Sequence, residues 1–302
     1  MKHDDGPRNS RDTQSSQRVT LPERRAPWIV LALLWVTLAL AFGRLDLAIS
    51  RAAFDPRSPL AVLVERYGEI PGYLLILAAV LILDLTRTRS PGASGVARSM
   101  ASLLVASFVA YLLGAMVWYR LSPASGERGS WALLPVVLLA GVAARSDLGA
   151  AWSTRVGAGA VRWARDTALL AAVDFVAFVQ VAKRLWGRVR FRDLDPGFAD
   201  FTPWFVPRGP GGIGSSFASG HTALGWMLLP LVLAAVERGA SRRVTASVAL
   251  VAVAWGVIVA TGRVVAGAHY ASDVLFPTGV AWAFVLLRWR AARPPAVTDE
   301  AR

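Results

Sequence analysis

Residues 219–236 read SGHTALGWMLLPLVLAAV: a serine, a glycine and a histidine, then an apolar run from Thr222 to Val236 that carries no charge. A polar triplet set directly against such a run predicts a helix that begins at a wet interface and continues into a bilayer. Working outward, the juxtaposition recurs. Arg263, His269 and Asp273 lie around the junction of the runs Val244 to Gly262 and Gly267 to Leu287, and the basic stretch Lys183 to Arg190 follows the run Thr167 to Ala182. Every group of chemically active residues stands where an apolar run meets a polar loop.

The composition demands the same setting. Of 302 residues 55% are apolar, and the mean hydropathy is +0.46, too high for a water-soluble domain of this length. The formal net charge of +13 raises the question of nucleic acid. The arginines cluster between apolar segments rather than on one basic face, which assigns them to the lipid bilayer surface and argues against a nucleic-acid partner. The chain has no cysteine, which removes disulfides, thiolate catalysis and zinc–thiolate sites, and its three histidines are few for a metal cage.

An all-α, polytopic transmembrane helical bundle is therefore expected. Residues 1–26 are too polar to bury a core and read as a disordered basic cytoplasmic tail. Ala26 to Gly43 is the first span, a retained anchor rather than a signal peptide ending near Ala39-Leu40-Ala41. Further runs follow at Ile70 to Leu85, Met100 to Tyr119, Ser130 to Ala144, Thr167 to Ala182, Thr222 to Val236, Val244 to Gly262 and Gly267 to Leu287. That makes eight spans, or six if Ser130 to Ala144 is re-entrant and one other weak segment drops out. Alternation from a cytoplasmic tail puts the loops with Arg87, Arg89 and Arg98, with Arg145, Arg155, Arg162 and Arg165, with Arg238, Arg242 and Arg243, and with Arg288, Arg290 and Arg293 in the cytoplasm. The three chemical motifs then share the extracytoplasmic face. Residues 27–165 are expected to hold the N-terminal transmembrane helices, 166–290 the catalytic core and 291–302 a second cytoplasmic tail.

The motifs suit a phosphate ester. Lys183 and Arg190 are seven apart, so a helix continuing outward from Ala182 would put them on nearly one face to clamp an anion. The structural alternative is a snorkelling basic cluster with Arg184, Arg188 and Arg192. Ser219 and Gly220 open a helix whose free N–H groups favour phosphate, and His221 at its edge can protonate a leaving alkoxide; an ordinary N-cap is the alternative. His269 and Asp273 are four apart. The carboxylate can accept one imidazole N–H and leave the other nitrogen as nucleophile, with Arg263 holding the phosphoryl oxygens. A buried His–Asp pair of purely structural purpose is the alternative.

Lys183 with six residues before Arg190, then Ser-Gly-His, then Arg263 with five residues before His269 and three more before Asp273, resembles the three-part motif of the type 2 phosphatidic acid phosphatase and vanadium haloperoxidase superfamily, in its membrane-bound lipid phosphatase branch. The resemblance covers Lys183 to Asp273. It implies that His269 is the nucleophile and forms a phosphohistidine, that Asp273 orients it, and that His221 is the general acid. Lys183, Arg190, Ser219, Gly220 and Arg263 would bind phosphate, with no metal and no cofactor. It implies an outward-facing site in a bacterial inner membrane and a lipid phosphate substrate: phosphatidate, phosphatidylglycerol phosphate or a polyprenyl diphosphate. A phosphotransferase to an acceptor alcohol and a non-catalytic lipid-phosphate binding or transport protein are the other readings. The chain departs from the pattern at Phe191 and Ala218, where the family has proline, and at Gly262, where it has serine. Oligomeric state is not legible.

Between the first two motifs, Phe198, Phe201, Trp204 and Phe205 suit either a headgroup-level loop that admits lipid or a packed cap over the bundle. Asp174, inside a run, is expected to bond a neighbouring helix or a basic residue.

Overall fold

The computed structural model describes residues 26–86, some helical positions between 100 and 115, and residues 156–291. The expected tails, the runs Met100 to Tyr119 (in most of its length) and Ser130 to Ala144, and the loops with Arg87 to Arg98 and Arg145 to Arg155 lie outside the described residues. The regular structure is all helical, with no strand among the described residues. The helices are α1 (Ala26–Ala53), α2 (Pro59–Tyr67), α3 (Ile70–Leu85), α4 (Ala158–Leu170), α5 (Gln180–Trp186), α6 (Gly220–Gly225), α7 (Leu229–Glu237), α8 (Arg242–Val265) and α9 (Ala271–Ala291). A π-helical stretch, Ala171–Val179, joins α4 to α5, and a 3₁₀ turn, Trp226–Leu228, joins α6 to α7.

Five stretches are long and apolar enough to cross a membrane: Ile29–Ala53, Pro59–Leu85, Gly220–Glu237, Arg242–Val265 and Ala271–Arg290. The chain is a multi-pass membrane protein. Its apolar side chains are turned outward as well as inward, as lipid requires: Leu250, Val251 and Leu287 are exposed on α8 and α9, while Tyr73, Leu170, Leu224, Trp226, Met227 and Leu233 fill a common core. The described residues up to Leu38 form a unit separate from those that follow, and within it the opening of α1 exposes Ile29, Val30, Leu33 and Leu34.

Local chemistry sets the helix limits. Ser58 caps α2 through its hydroxyl, with Pro59 in the first turn, and Ser241 caps α8 in the same way. Three limits differ from the sequence reading. The first helix does not stop at Gly43 but runs to Ala53, carrying Arg44, Asp46 and Arg51 beyond the uncharged stretch. The last helix starts at Ala271, not Gly267. Arg162 and Arg165, expected in a loop, lie on α4. The run Thr167 to Ala182 is helical throughout but carries the π stretch and is not one of the five span-like stretches. Within it Asp174 is buried and has neither expected partner: both carboxyl oxygens lack a hydrogen bond among the described residues.

Backbone contacts join the ends of elements that are far apart in the chain. Asp55 N–H donates to Val265 O at 3.0 Å, Arg192 N–H to Gly267 O at 3.0 Å and Ser219 N–H to Asp273 O at 3.0 Å. The close of α1, the start of α2, the close of α5, the start of α6, the close of α8 and the start of α9 thus share one end of the bundle. At the other end Arg162 on α4 meets Glu237 at the close of α7, and Arg288 near the close of α9 meets Asp166.

Candidate functional site

The site is built on a loop that turns back on itself. α5 stops at Trp186 because Gly187 takes a left-handed conformation (φ +56°), and a Cβ there would stand 2.6 Å from Gly212 Cα. Lys183 and Arg190 therefore do not share a helical face. Arg190 is extended, and the two cations meet because the returning strand of loop passes between them. Lys183 Nζ donates to Ser215 O at 2.8 Å, and Arg190 Nη2 donates to Ser215 Oγ at 3.2 Å. Burial first, then the Arg190 charge, pushes the Lys183 ammonium down to about 8.

One residue further, Ser216 fixes the histidine. α8 ends near Arg263, and the chain reverses at Gly267 (φ +63°), where a Cβ would collide with the Phe54 ring. His269 N–H is held by Arg263 O at 3.2 Å. Its Nδ1 lies 2.6 Å from Ser216 O, and since a carbonyl only accepts, Nδ1 carries the proton and Nε2 keeps its lone pair. The ring is buried, and burial, reinforced by the nearby Arg263 and Lys183 charges and only partly opposed by Asp273, pushes its pKa down to about 3. At neutral pH it is an uncharged imidazole. The four-residue spacing predicts His269 and Asp273 stacked on one helix with a direct bond. In the structure His269 precedes α9, and Asp273 Oδ2 is 3.7 Å from Nδ1, second to the Ser216 carbonyl.

Asp273 is occupied elsewhere. Its Oδ1 accepts from Arg188 Nη1 at 2.5 Å, and its Oδ2 from Ser216 Oγ at 2.5 Å and Tyr270 N at 2.9 Å. Arg188 is fully buried, and every face of its guanidinium is used. It donates to Asp46 Oδ2 at 2.8 Å, Thr202 O at 2.8 Å and Ser272 Oγ at 2.9 Å, and it lies 3.9 Å over the Tyr270 ring. Burial alone would lower its pKa; Asp273 and Asp46 outweigh that and raise it, so it stays charged. Asp46 in turn accepts from Ser272 N at 2.9 Å and Ser272 Oγ at 2.5 Å. α1, the loop and α9 are tied together at this point.

His221 stands in the first turn of α6. Ser219 is the N-cap, its Oγ accepting from Thr222 N at 3.3 Å and from Thr222 Oγ1 at 3.0 Å, so one hydroxyl proton is left to donate. Gly220 is buried beside it, with Phe175 the nearest neighbour of its absent side chain. His221 Nδ1 lies 2.7 Å from Glu69 Oε1. Arg263 Nη1 donates to Glu65 Oε2, and Arg192 reaches Glu65 Oε1 at 3.6 Å. The eight residues singled out in the sequence thus gather at one end of the bundle. Lys183, Arg190, His269 and Asp273 converge on Ser215 and Ser216, while His221 and Arg263 face the two glutamates. Among the described residues no three His, Asp or Glu side chains group to hold a metal ion.

Asp46, Glu65, Glu69, Ser215, Ser216 and Tyr270 join the site without standing in any of the three motifs, and Arg188, in sequence only a member of the alternative snorkelling cluster, is buried at its centre. Asp46 carries a signal in the sequence, an acid set between Leu45 and Leu47 just past the end of the uncharged stretch at Gly43. The three departures have local causes. Phe191 is buried, edge-on to Phe54 at 5.2 Å and stacked on Phe198 at 5.9 Å. Ala218 is enclosed with Phe217 in a cluster that Trp204 and Phe276 complete. At Gly262 a Cβ would meet the Val64 side chain at 2.5 Å, so α2 packs where a serine would need room. Of the aromatic loop, Phe198, Phe201 and Trp204 turn inward onto Phe191, Tyr270 and Phe276, forming a packed cap; Phe205, Val206 and Ile213 remain exposed.

Residues 167–294 match the family model described as PAP2 superfamily. No curated protein and no solved structure matches the chain. The matched segment begins on α4, so α1, α2 and α3, which bring Asp46, Glu65 and Glu69, lie outside it.

Proposed function

We propose that this chain, whose residues 167–294 match the PAP2 superfamily model, is a member of that superfamily and hydrolyses the phosphate monoester or diphosphate of a membrane lipid by way of His269. Its phosphatase character follows from the family; the substrate class and the route are our reading. The observation that carries it is the pair of contacts made by consecutive residues: Ser215 gathers Lys183 and Arg190, and the Ser216 carbonyl holds the His269 Nδ1 proton. A neutral imidazole with a free Nε2 lone pair stands beside cations able to receive a phosphoryl group.

In the first step Nε2 attacks phosphorus, and the bond from phosphorus to the ester oxygen breaks. The Lys183, Arg190 and Arg263 cations, with the Ser219 hydroxyl, meet the charge on the three equatorial oxygens. The departing alkoxide takes a proton from His221. In the second step His221, now neutral, removes a proton from water, the resulting hydroxide attacks the phosphohistidine, and the P–N bond breaks to give inorganic phosphate and free His269. Asp273 acts on His269 at 3.7 Å through its charge, which favours the cationic imidazole of the intermediate. The steps need no metal. The span ends that carry Arg242, Arg243, Arg288 and Arg290 lie opposite the site, which supports an extracytoplasmic site in a bacterial inner membrane.

Purified protein in detergent, with chelator present, should release phosphate from phosphatidate, phosphatidylglycerol phosphate or a polyprenyl diphosphate. Quenching during turnover of a ³²P-labelled lipid should trap acid-labile label on the protein. His269→Ala should remove the label and lower turnover by about a thousandfold or more. Full phosphate release by that variant would overturn the assignment.

A further inference from the structure

Glu69 lies outside the segment matched to the family and is absent from the three-part motif, yet it makes the closest polar contact to His221. We propose that Glu69 is a positioning residue for the leaving-group step: its carboxylate holds the His221 Nδ1 proton and leaves Nε2 as the nitrogen that hands its proton to the departing oxygen. The inference rests on the reading of His221 as general acid, and it adds the element that makes His221 one.

The backbone brings the two together. Glu69 is the N-cap residue of α3, a position where a side-chain oxygen ordinarily bonds the first free N–H groups of its own helix. Its carboxylate makes no such bond and reaches across to α6 instead. One turn on, Gly72 allows that reach. A Cβ at Gly72 would stand 2.4 Å from Leu224 O, so the backbones of α3 and α6 come together there with no room for a side chain between them. Gly72 follows Glu69 by three residues and Leu224 follows His221 by three, so the contact at Gly72 and Leu224 fixes the register of the contact one turn away. The groups facing His221 are Glu69, Glu65 and Arg263, and Arg263 is itself engaged by Glu65. Glu69 is the anion bonded directly to the ring, and its carboxylate fixes the orientation of the imidazole and the nitrogen that carries the held proton. His269, by contrast, is held by an uncharged carbonyl and is buried as a neutral ring. The two rings thus differ in what holds Nδ1: a backbone carbonyl at His269 and a carboxylate at His221.

The test exploits leaving groups. An alkyl phosphate expels a basic alkoxide that needs a proton, whereas p-nitrophenyl phosphate expels a stable phenolate that does not. His221→Ala, Glu69→Ala and the double variant are assayed on both esters in detergent. Glu69→Ala should lower kcat on the alkyl ester about 10- to 100-fold, with a loss on the aryl ester at least several-fold smaller. Turnover of the aryl ester also reports that the variant is folded; if the alanine form does not survive purification, Glu69→Gln, which keeps the shape and removes the charge, is measured in its place. The double variant should be no worse than His221→Ala alone. Equal losses on the two esters, or additive losses in the double variant, would overturn the role of Glu69 while leaving the phosphatase reading intact. If His221→Ala itself shows no preference for the aryl ester, the acid assignment falls and this inference with it, and ³²P trapping on His269 then shows whether the nucleophile stands independently.

Discussion

The two ends of the bundle use the same ion-pair chemistry with opposite stakes. At the site end Arg188 is 1% exposed and bonds two carboxylates that are themselves enclosed, Asp46 and Asp273. At the far end Arg162 and Arg288 are 48% and 39% exposed in their side chains, and each bonds one carboxylate. An enclosed charge can keep its energy only through its partners, so its partners fix its place; an exposed one exchanges protein for water at little cost. The enclosed end is therefore able to hold Asp273 and its neighbour His269 in one geometry. The open end only trims the helix termini.

The largest effect should come from breaking the enclosed network. Arg188→Met leaves Asp46 and Asp273 buried without their cation and should cost about 3–5 kcal/mol, seen as a lower unfolding midpoint in detergent. Arg188→Lys should recover only part of this, since a single ammonium cannot replace three forked donors to Asp46, Ser272 and Asp273. A variant with unchanged stability would show that the two ends differ in exposure but not in consequence.

Next in size is Gly262→Ser, which restores the residue the family carries. With Val64 2.5 Å from the new Cβ, over-packing should cost about 1–3 kcal/mol, and Val64→Ala in the same chain should return most of it. Phosphate release tracks this: the single variant loses turnover and the double variant regains it. Gain of turnover in the single variant would mean that a hydroxyl beside Arg263 matters more than the fit of α2.

How much of this was legible in the residues divides along the same line. The apolar runs announce helices through their length, and all eight motif residues lie together because short-range rules place them: a cap at Ser219, a reversal before His269, a loop return after Gly187. What the sequence conceals is contact between segments far apart in number. Asp46 and Asp273 are 227 positions apart and share one guanidinium, and nothing in either neighbourhood announces the other. Arg188 reads as one of five cations in a basic stretch, and only burial separates it from Arg184. Spacing also suggested the right neighbours by a wrong route, since Lys183 and Arg190 meet through Ser215 and not along a helix, and His269 is anchored by Ser216 rather than by Asp273.

A smaller effect is expected from acidity at Lys183, which separates a working cation from a structural one. A lysine held down to about 8 is charged below that pH and loses its proton as pH rises through it. KM for the lipid phosphate should therefore increase above pH 8, by up to about tenfold per unit while kcat changes less. Lys183→Arg, which stays charged, should move that limb to higher pH. An unchanged profile would remove Lys183 from the set that meets the phosphate.

The smallest effect tests the open end directly. Arg162→Ala deletes a 2.8 Å contact to Glu237 in which the arginine side chain is nearly half exposed. Water replaces the guanidinium at the carboxylate, so the loss should stay within about 0.5 kcal/mol and phosphate release should be unchanged. Asp166 sharpens the contrast, because it is 2% exposed although its partner Arg288 is not. Arg288→Ala leaves that enclosed acid without its cation, while the half-exposed position of the lost guanidinium admits water beside it, so the cost should fall between those of Arg162→Ala and Arg188→Met. That ordering, read from three unfolding midpoints measured in one detergent, depends only on how enclosed the abandoned carboxylate is. If Arg288→Ala proved as mild as Arg162→Ala, the burial of the acid would not set the penalty, and the contrast between the two ends would have to rest on the number of bonds each arginine makes.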